Sequence, residues 1–307
     1  MRKLDKNKLR NNLIGTSYII TAAFLWGSSF AVRKIGMECM GPLMLNVCRF
    51  IFAFLFLMAI VLVRKHHGMM PGIDKTELIS QIKVGSLIGM FYALNVVFQQ
   101  LGLKYVSAGE TGFITSLYTI MVPILGWLVF KTKIRLINWI AIVLSGIGLY
   151  LVTNGGVSFR LGMIILLIGA LCAAIQILLI AKYIAGCDPF ILVNVQVFMG
   201  IAVNLILAVV MREPFEPAMV REAFWPILYT GLFSVGIANL FQFLGQRRVS
   251  PAVTVITCSF ESVFGLLFGI ILLGEVMTFM KACGCIIILM TVIMIQYEPQ
   301  RKEDTRI

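Results

Sequence analysis

Charged residues and histidine are scarce in this sequence. Asp, Glu, Lys and Arg make up 13% of the 307 residues and only two histidines occur, whereas 60% of the residues are hydrophobic. The mean hydropathy is +0.96. A soluble protein of this length could not bury so much apolar surface, but a bilayer accepts it on the outside of a helical bundle. The composition therefore excludes a soluble globular protein and predicts a helical protein that crosses the membrane many times.

The sequence also lacks the motifs of metal binding and of ATP hydrolysis. Its seven cysteines include no Cys-x-x-Cys pair and lie mostly within or beside apolar runs, so we interpret them as small apolar residues. It has no Gly-x-x-x-x-Gly-Lys-Ser/Thr loop, which argues against ATP-driven pumping. The two histidines, His66 and His67, are adjacent in a polar loop and are interpreted as solvated. We predict no cofactor, no metal and no nucleic-acid partner.

The chain repeats itself. The stretches Phe98–Ala108 and Phe241–Pro251 share Phe, Gln, Leu, Gly, Val and Ser in register, at an offset of 143 (241 minus 98). The first two apolar runs of each half match at an offset of 147, as Gly15 matches Gly162. In both copies a short basic break separates apolar residues, which is typical of two membrane helices joined by a tight turn. The sequence therefore predicts two related halves.

Apolar runs predict ten membrane helices, five in each half. They cover residues 13–36, 42–63, 83–103, 106–130, 136–154, 161–182, 189–211, 225–247, 251–274 and 277–297. Because five is an odd number, the second half must enter the bilayer from the opposite side, which gives an inverted repeat. The predicted fold is all-α and integral to the membrane, with repeats at 15–154 and 161–297 and cytoplasmic tails at 1–12 and 298–307.

The distribution of positive charge predicts the orientation of these helices. With the N-terminus in the cytoplasm, seven Lys and Arg residues fall outside and Arg49 lies in a span, which leaves 18 of the 26 on the cytoplasmic side. The external seven are Arg33, Lys34, Lys104, Arg160, Arg212, Arg221 and Lys281. Because cytoplasmic loops carry an excess of Lys and Arg, we predict a plasma-membrane protein with both termini in the cytoplasm.

Polar side chains recur on one face of several predicted helices. In the third helix they stand at i, i+3 and i+7, and the eighth helix repeats this spacing. A single Thr, Asn or Gln in a membrane helix more often serves to join helices. The equivalent placement of the whole set in both halves favours a central cavity, since polar groups at membrane depth tend to face one. The predicted substrate-binding residues are Trp26, Ser29, Arg49, Tyr92, Asn95, Gln99, Thr111, Tyr118, Gln176, Gln196, Asn239, Gln242, Thr254, Thr257 and Glu261.

Glu261 and Arg49 are charged residues predicted at depth. At 1.5 Å per residue, Glu261 lies roughly 15 Å into its helix and Arg49 about 10 Å into the second helix. Glu261 would bind a cationic substrate group or carry a coupled proton, and a structural hydrogen bond is the alternative. Arg49 would receive a substrate carboxylate, neutralise Glu261 or satisfy backbone carbonyls. Glu110 is interpreted as the capping-box partner of Ser107, and Pro123 as a bend in the fourth helix.

Three motifs resemble those of the EamA family within the drug/metabolite transporter superfamily. They are Trp26-Gly27-Ser28-Ser29-Phe30, Arg49-Phe50 and Leu272-Leu273-Gly274-Glu275. The resemblance covers 15–154 and 161–297, although the first half ends its fourth helix without Gly-Glu and the sixth helix lacks the Trp-Gly pair. It implies alternating-access transport of small organic metabolites, often export of amino acids or drugs, through a cavity between the halves.

The leading hypothesis is a secondary transporter of a small-molecule substrate. Aromatic residues near the predicted cavity favour an organic molecule over a bare ion. Arg49 with Glu261 favours an amino acid, an amine or an amphipathic metabolite over a multiply anionic nucleotide-sugar or phosphate. One alternative is an integral-membrane lipid-modifying enzyme, which would need a clustered acid, base or metal set. Another is a membrane scaffold or sensor, which would leave the paired polar stripes unexplained.

Overall fold

The chain folds into long helices. The computed structural model describes residues 2–69, 72–130 and 161–296, together with 140, 143–144, 147–148 and 150–151. Over these residues the secondary structure is helical and no strand forms. Eight helical stretches are long and apolar enough to cross a membrane, judged by their length and composition. The all-α prediction is confirmed for the described part of the chain.

The helices are numbered here in chain order. They are α1 (Arg2–Cys39), α2 (Pro42–His66), α3 (Lys75–Leu103), α4 (Ala108–Thr115), α5 (Tyr118–Phe130), α6 (Leu161–Tyr183), α7 (Pro189–Val210), α8 (Pro217–Glu222), α9 (Phe224–Tyr229), α10 (Ala238–Gln246), α11 (Pro251–Cys258), α12 (Phe260–Leu273) and α13 (Phe279–Gln296). A 3-10 turn, Ile184–Gly186, follows α6, and a π-helical segment, Thr230–Ile237, joins α9 to α10.

The observed helices differ from the predicted spans chiefly at two N-terminal ends. α1 and α3 begin at Arg2 and Lys75, earlier than the predicted 13 and 83. In α3 the cause is a cap: Asp74 Oδ1 accepts the N–H of Glu77 at 2.6 Å, so the helix continues beyond its apolar run into a charged flank. The predicted fifth span, at 136–154, and the tail at 298–307 lie largely or wholly outside the described residues, while the predicted tenth span corresponds to α13.

Glycines allow two helix pairs to cross closely. An added Cβ at Gly15 in α1 would lie 3.3 Å from the carbonyl oxygen of Gly245 in α10. An added Cβ at Gly162 in α6 would lie 3.3 Å from the carbonyl oxygen of Gly102 in α3. Small residues let membrane helices approach to backbone contact. In each crossing, the first helix of one half of the sequence therefore packs against the third span of the other half.

Two spans are interrupted at equivalent positions. The fourth span divides into α4 and α5 at Ser116–Leu117, and the ninth divides into α11 and α12 at Ser259. Ser259 follows Ser116 by the repeat offset of 143. Pro123 lies inside α5, after the interruption, and the matching position in α12 is Leu266. The interruption therefore does not sit at Pro123, where the sequence predicted a bend, and the ninth span forms it without a proline.

The start of α4 is capped twice. Ser107 Oγ accepts the N–H of Glu110, and the Glu110 carboxylate accepts the N–H of Ser107, each at 3.1 Å, which confirms the predicted capping box. Glu275, which follows α12, accepts the N–H groups of Ala108 and Gly109 at 2.6 and 3.1 Å. A carboxylate at a helix N-terminus satisfies unpaired donors and interacts favourably with the helix dipole.

Gly245→Val should destabilise the protein by about 1–3 kcal/mol, as overpacking does elsewhere. The new Cβ would lie 2.5 Å from Cγ1 of Ile19 and 2.9 Å from the carbonyl oxygen of Gly15, and a backbone atom cannot rotate away. The measurement is the thermal unfolding midpoint of the purified protein in detergent. Gly186→Val is the control, since an added Cβ there meets nothing within 4 Å. Equal midpoints for the two variants would contradict the close crossing.

Candidate functional site

A polar cavity lies between seven of the spans and is lined by both halves of the chain. Its volume in this conformation is about 60 Å³, room for a few water molecules, so an organic ligand requires the cavity to widen. Its lining residues are Trp26, Ser29, Arg33, Arg49, Tyr92, Asn95, Val96, Gln99, Thr115, Tyr118, Ala173, Gln176, Ile177, Ser234, Val235, Asn239, Gln242, Cys258 and Glu261.

Two buried guanidinium groups face this cavity. Arg33 and Arg49 are each 2% exposed. Arg33 Nη1 donates to Gln99 Oε1 at 2.9 Å and to Gln100 Oε1 at 3.3 Å. Arg33 Nε has no hydrogen-bond partner, and its Cζ lies 4.7 Å from the centre of the Phe30 ring. One edge of this guanidinium is therefore fixed by amides while another nitrogen remains available.

A chain of amides holds Arg49. Arg49 Nε donates to Asn46 Oδ1 at 2.9 Å, and Asn46 Nδ2 donates to Asn204 Oδ1 at 2.8 Å. Asn204 Nδ2 donates in turn to the carbonyl oxygen of Gly200 at 2.8 Å. Asn46 and Asn204 are fully buried. Among the described residues the terminal nitrogens of Arg49 form no hydrogen bond, so the network orients the guanidinium through Nε alone.

Tyr118 and Glu261 occupy equivalent positions of the repeat and both line the cavity. Each follows the helix interruption by two residues, after Ser116 and Ser259 respectively. Within the part of the chain that the structure describes, the Glu261 carboxylate forms no hydrogen bond and no ion pair. Arg33 and Arg49 line the same cavity, and neither forms an ion pair with Glu261 in that part of the chain. The sequence-based alternative in which Arg49 neutralises Glu261 stays a prediction.

The eighth span meets the cavity through its π-helical segment. Trp26 Nε1 donates to the carbonyl oxygen of Ser234 in this segment at 3.0 Å, which fixes the indole ring. Asn239, just after the segment, donates to the hydroxyl of Tyr92 at 2.8 Å. π-Helical segments within α-helices occur frequently at functional sites. Here the segment supplies the carbonyl that holds an aromatic side chain of the cavity wall.

Eleven of the predicted substrate-binding residues line this cavity. They are Trp26, Ser29, Arg49, Tyr92, Asn95, Gln99, Tyr118, Gln176, Asn239, Gln242 and Glu261. They come from both halves, although the polar stripes were identified on separate helices. Contact with a substrate remains a prediction for each of them.

The structure does not bring the other four predicted residues to the cavity. Thr111, Thr254 and Thr257 are buried, but their hydroxyls donate to the backbone carbonyl four residues earlier at 2.8–3.1 Å. Such bonds compete with contacts to other groups. Gln196 lies behind the cavity wall, where its Oε1 accepts from Gln176 Nε2 at 2.9 Å. The three threonine hydroxyls and Oε1 of Gln196 are occupied by structural hydrogen bonds, whereas Nε2 of Gln196 is buried without a partner.

Arg33 was assigned by sequence to the external side, but the structure places it in the cavity. A signal was present, because Trp26, Ser29 and Arg33 stand at i, i+3 and i+7 and so share one helix face. The charge count treated Arg33 as a loop residue since it lies near the end of its apolar run. The other lining residues absent from the predicted set are Val96, Thr115, Ala173, Ile177, Ser234, Val235 and Cys258.

Membrane-length helices around a buried, charged cavity define a polytopic membrane protein of the transporter class. The EamA-like transporter family matches residues 13–154 and 160–297, so the chain belongs to this family and is a multi-pass membrane transporter. The family resemblance stated from sequence motifs is confirmed.

Relatives are found in archaea and bacteria. An uncharacterized transporter of Archaeoglobus fulgidus is 30% identical over 273 residues, which cover 89% of this chain and 82% of that protein. The uncharacterized transporter YoaV of Bacillus subtilis is 21% identical, with 88% and 92% covered. The uncharacterized inner membrane transporter YedA of Escherichia coli K12 is 24% identical, with 88% and 87% covered. These names support transport and a membrane location.

A solved crystal structure has a similar fold. It aligns with a TM-score of 0.66 at 17% identity and covers 94% of this chain and 98% of its own. At this identity the likeness concerns the fold alone. The arrangement of helices described above is therefore one that also occurs in an experimentally determined protein.

Asn46→Leu should lower the stability of the protein by about 1–2 kcal/mol, because it removes the bonds to both Arg49 and Asn204. The measurement is the thermal unfolding midpoint in detergent. Asn194→Leu is the matched control: Asn194 is also a buried amide, but it makes one bond, to the carbonyl oxygen of Phe190, and lies off the cavity. A smaller loss for Asn46→Leu than for Asn194→Leu would contradict the proposed role of this amide chain.

Proposed function

We propose that this protein is a secondary transporter that moves small organic metabolites by alternating access, in the export direction that the family resemblance implies. The observation that carries the proposal is the polar cavity shared by both halves, with helix interruptions at equivalent positions beside it. Interrupted membrane helices at the interface of two repeats are typical of substrate sites in secondary transporters. The substrate class is amino acids, amines or drug-like compounds.

An inverted repeat of five plus five spans is part of this proposal. The equivalence of Gly15 with Gly162 and of Gly102 with Gly245 supports it, because each pair recurs in a crossing of the same kind. The first helix of each half meets the third span of the other half, as a twofold axis between the halves requires. The ninth span carries its interruption at the position of the fourth, which supports the same relation.

Both termini lie in the cytoplasm under this proposal. Moving Arg33 from the external set to the cavity leaves six external Lys and Arg residues against 18 on the cytoplasmic side. Of the remaining six, Lys34 and Lys281 also fall within predicted spans, near the external ends of those spans, and the other four fall outside them. The charge bias that orients membrane helices is therefore stronger than the sequence count alone suggested.

Contacts between the fourth and ninth spans supply a gate at the external end in this orientation. Glu275 caps α4 from the end of α12, and Lys281 Nζ lies 3.1 Å from the carboxylate of Glu110. By the offset of 143, the positions equivalent to Glu275 and Lys281 are Thr132 and Asn138, which are uncharged. The sequence therefore offers no charged counterpart of this gate at the cytoplasmic end.

The second and seventh spans, in contrast, are joined at both ends. Glu213 accepts the N–H groups of Leu43 and Met44 at 3.0 and 2.9 Å at the external end. Arg64 and Asp188 form an ion pair of 3.3 Å at the cytoplasmic end. In the proposed cycle, the second and seventh spans stay in contact while the two halves rotate relative to each other. The fourth and ninth spans separate and close.

Glu275→Ala should open the external gate. In a variant that keeps Cys258 as its single cysteine, we expect an anionic, membrane-impermeant methanethiosulfonate to label Cys258 about tenfold faster from outside right-side-out vesicles. Cys258 lines the cavity and is 1% exposed. Glu275→Ala removes two charge-assisted bonds, and the loss of about 1.5 kcal/mol, the value of one of them, already gives a shift of this size. Glu222→Ala, at an exposed position, is the control. Unchanged labelling in Glu275→Ala would contradict the gate.

Glu261→Gln should remove the dependence of transport on a pH gradient. A carboxylate in a cavity that it shares with Arg33, Tyr118 and Cys258 can gain and lose a proton during the cycle, whereas an amide cannot. The measurement is uptake of labelled amino acids and amines by proteoliposomes with and without a gradient, with Glu222→Gln as the control. A wild-type pH profile in Glu261→Gln would exclude the role, and the absence of any uptake by the wild-type protein would contradict the proposed function.

A further inference from the structure

The cavity lining carries more cationic than anionic side chains. It contains two cations, Arg33 and Arg49, and one anion, Glu261. Arg33 and Arg49 line the same space, and neither forms an ion pair among the described residues. Two buried guanidinium groups without an anionic partner are costly unless an anion joins them.

Both guanidinium groups are oriented yet retain free donors. Gln99 and Gln100 hold Nη1 of Arg33, and Asn46 holds Nε of Arg49. Nε of Arg33 is buried without a partner. These neutral amides position the cations without neutralising them, since an amide oxygen carries no formal charge. The remaining N–H groups are therefore prepared for a negatively charged ligand.

We infer that the cavity binds the carboxylate of an organic anion between Arg33 and Arg49, an inference that rests on the proposed transport function and specifies its substrate class. Arg recognises carboxylates through two parallel N–H donors in a fixed planar geometry. With Glu261 ionised, the lining carries an excess of one positive charge, which matches a monoanion. A doubly charged phosphate would require further cations, and the described lining has none.

The rest of the lining offers apolar surface for the body of such a ligand when the cavity widens. Trp26, Tyr118, Ala173 and Ile177 line the cavity and belong to one hydrophobic cluster, separate from that of Tyr92. Gln242 Oε1 is buried without a partner and lines the same space, so it can accept from an N–H or O–H of the ligand. The fitting ligand is an organic monocarboxylate with an apolar or aromatic body.

Glu261 competes with this ligand for Arg33. Glu261 and Arg33 line the same cavity, yet Glu261 forms no bond with the guanidinium among the described residues. Replacing Glu261 with Gln removes the competing charge at almost constant shape. The carboxylate of the ligand should therefore bind more tightly to Glu261→Gln than to the wild-type protein.

The test uses the purified full-length protein in detergent and isothermal titration. The probes are benzoate and isobutyrate, each matched by its amide and by the corresponding amine, with phenylphosphonate and sodium chloride as further ligands. The expected result is binding of the carboxylates alone. Arg33→Gln and Arg49→Gln should each weaken it by about tenfold to a hundredfold, as the loss of charged hydrogen bonds does elsewhere. Glu261→Gln should strengthen it.

Matched variants keep the test decisive. Arg247→Gln removes an exposed arginine off the cavity and should bind as the wild-type protein does. If a glutamine variant does not fold, Arg33→Lys and Arg49→Lys preserve the charge but lose the planar fork, and should show intermediate affinity. Binding of the amines or of phenylphosphonate in place of the carboxylates, binding of none of the probes, or carboxylate binding unaffected by the arginine variants would overturn the inference.

This outcome is separable from that of the proposed function. If carboxylate binding depends on both arginines but the same probe does not cross proteoliposome membranes, the binding site is supported and transport is contradicted. If an amine or a neutral compound is taken up but carboxylates do not bind, the transport function is supported and the carboxylate site is contradicted.

Discussion

The constraint on which this structure depends is that lipid offers no hydrogen bond and no counter-ion. A charge or an amide in a membrane helix must therefore find its partners within the protein. Arg33, Arg49 and Glu261 lie in apolar stretches of three different spans, and each faces the same cavity. Solvation of polar groups in a space shared by several helices is what organises the arrangement of the two halves.

Close helix crossings make this arrangement possible. At Gly15 and Gly162 the helices approach so closely that an added Cβ would lie 3.3 Å from a backbone carbonyl oxygen of the partner helix, and 2.7 and 2.6 Å from Val249 and Tyr105 respectively. These crossings tie each half to the other, so the polar faces are directed toward one cavity instead of two. The interruptions at Ser116 and Ser259 then place Tyr118 and Glu261 beside that cavity.

Much of the site could be predicted because helical periodicity places residues on a face. Gln99 and Gln242 were found in this way, and both line the cavity. Periodicity does not show which group a hydroxyl bonds to. The hydroxyl of Thr254 donates to the carbonyl oxygen of Ser250 at 3.1 Å. Arg33 was misplaced for another reason, since the position of a charge near the end of an apolar run does not reveal which way its helix face is directed.

The sequence by itself determined that the protein lies in a membrane, that its chain is helical and that two halves are related, because hydropathy and local repetition do not depend on how helices pack. The tertiary structure decided which polar residues share a cavity, that Arg33 joins Arg49 and Glu261 there, and where the fourth and ninth spans break. Those features depend on helix crossings and on partners distant in the chain. Gln99 meets Arg33 only because α1 and α3 bring their polar faces together.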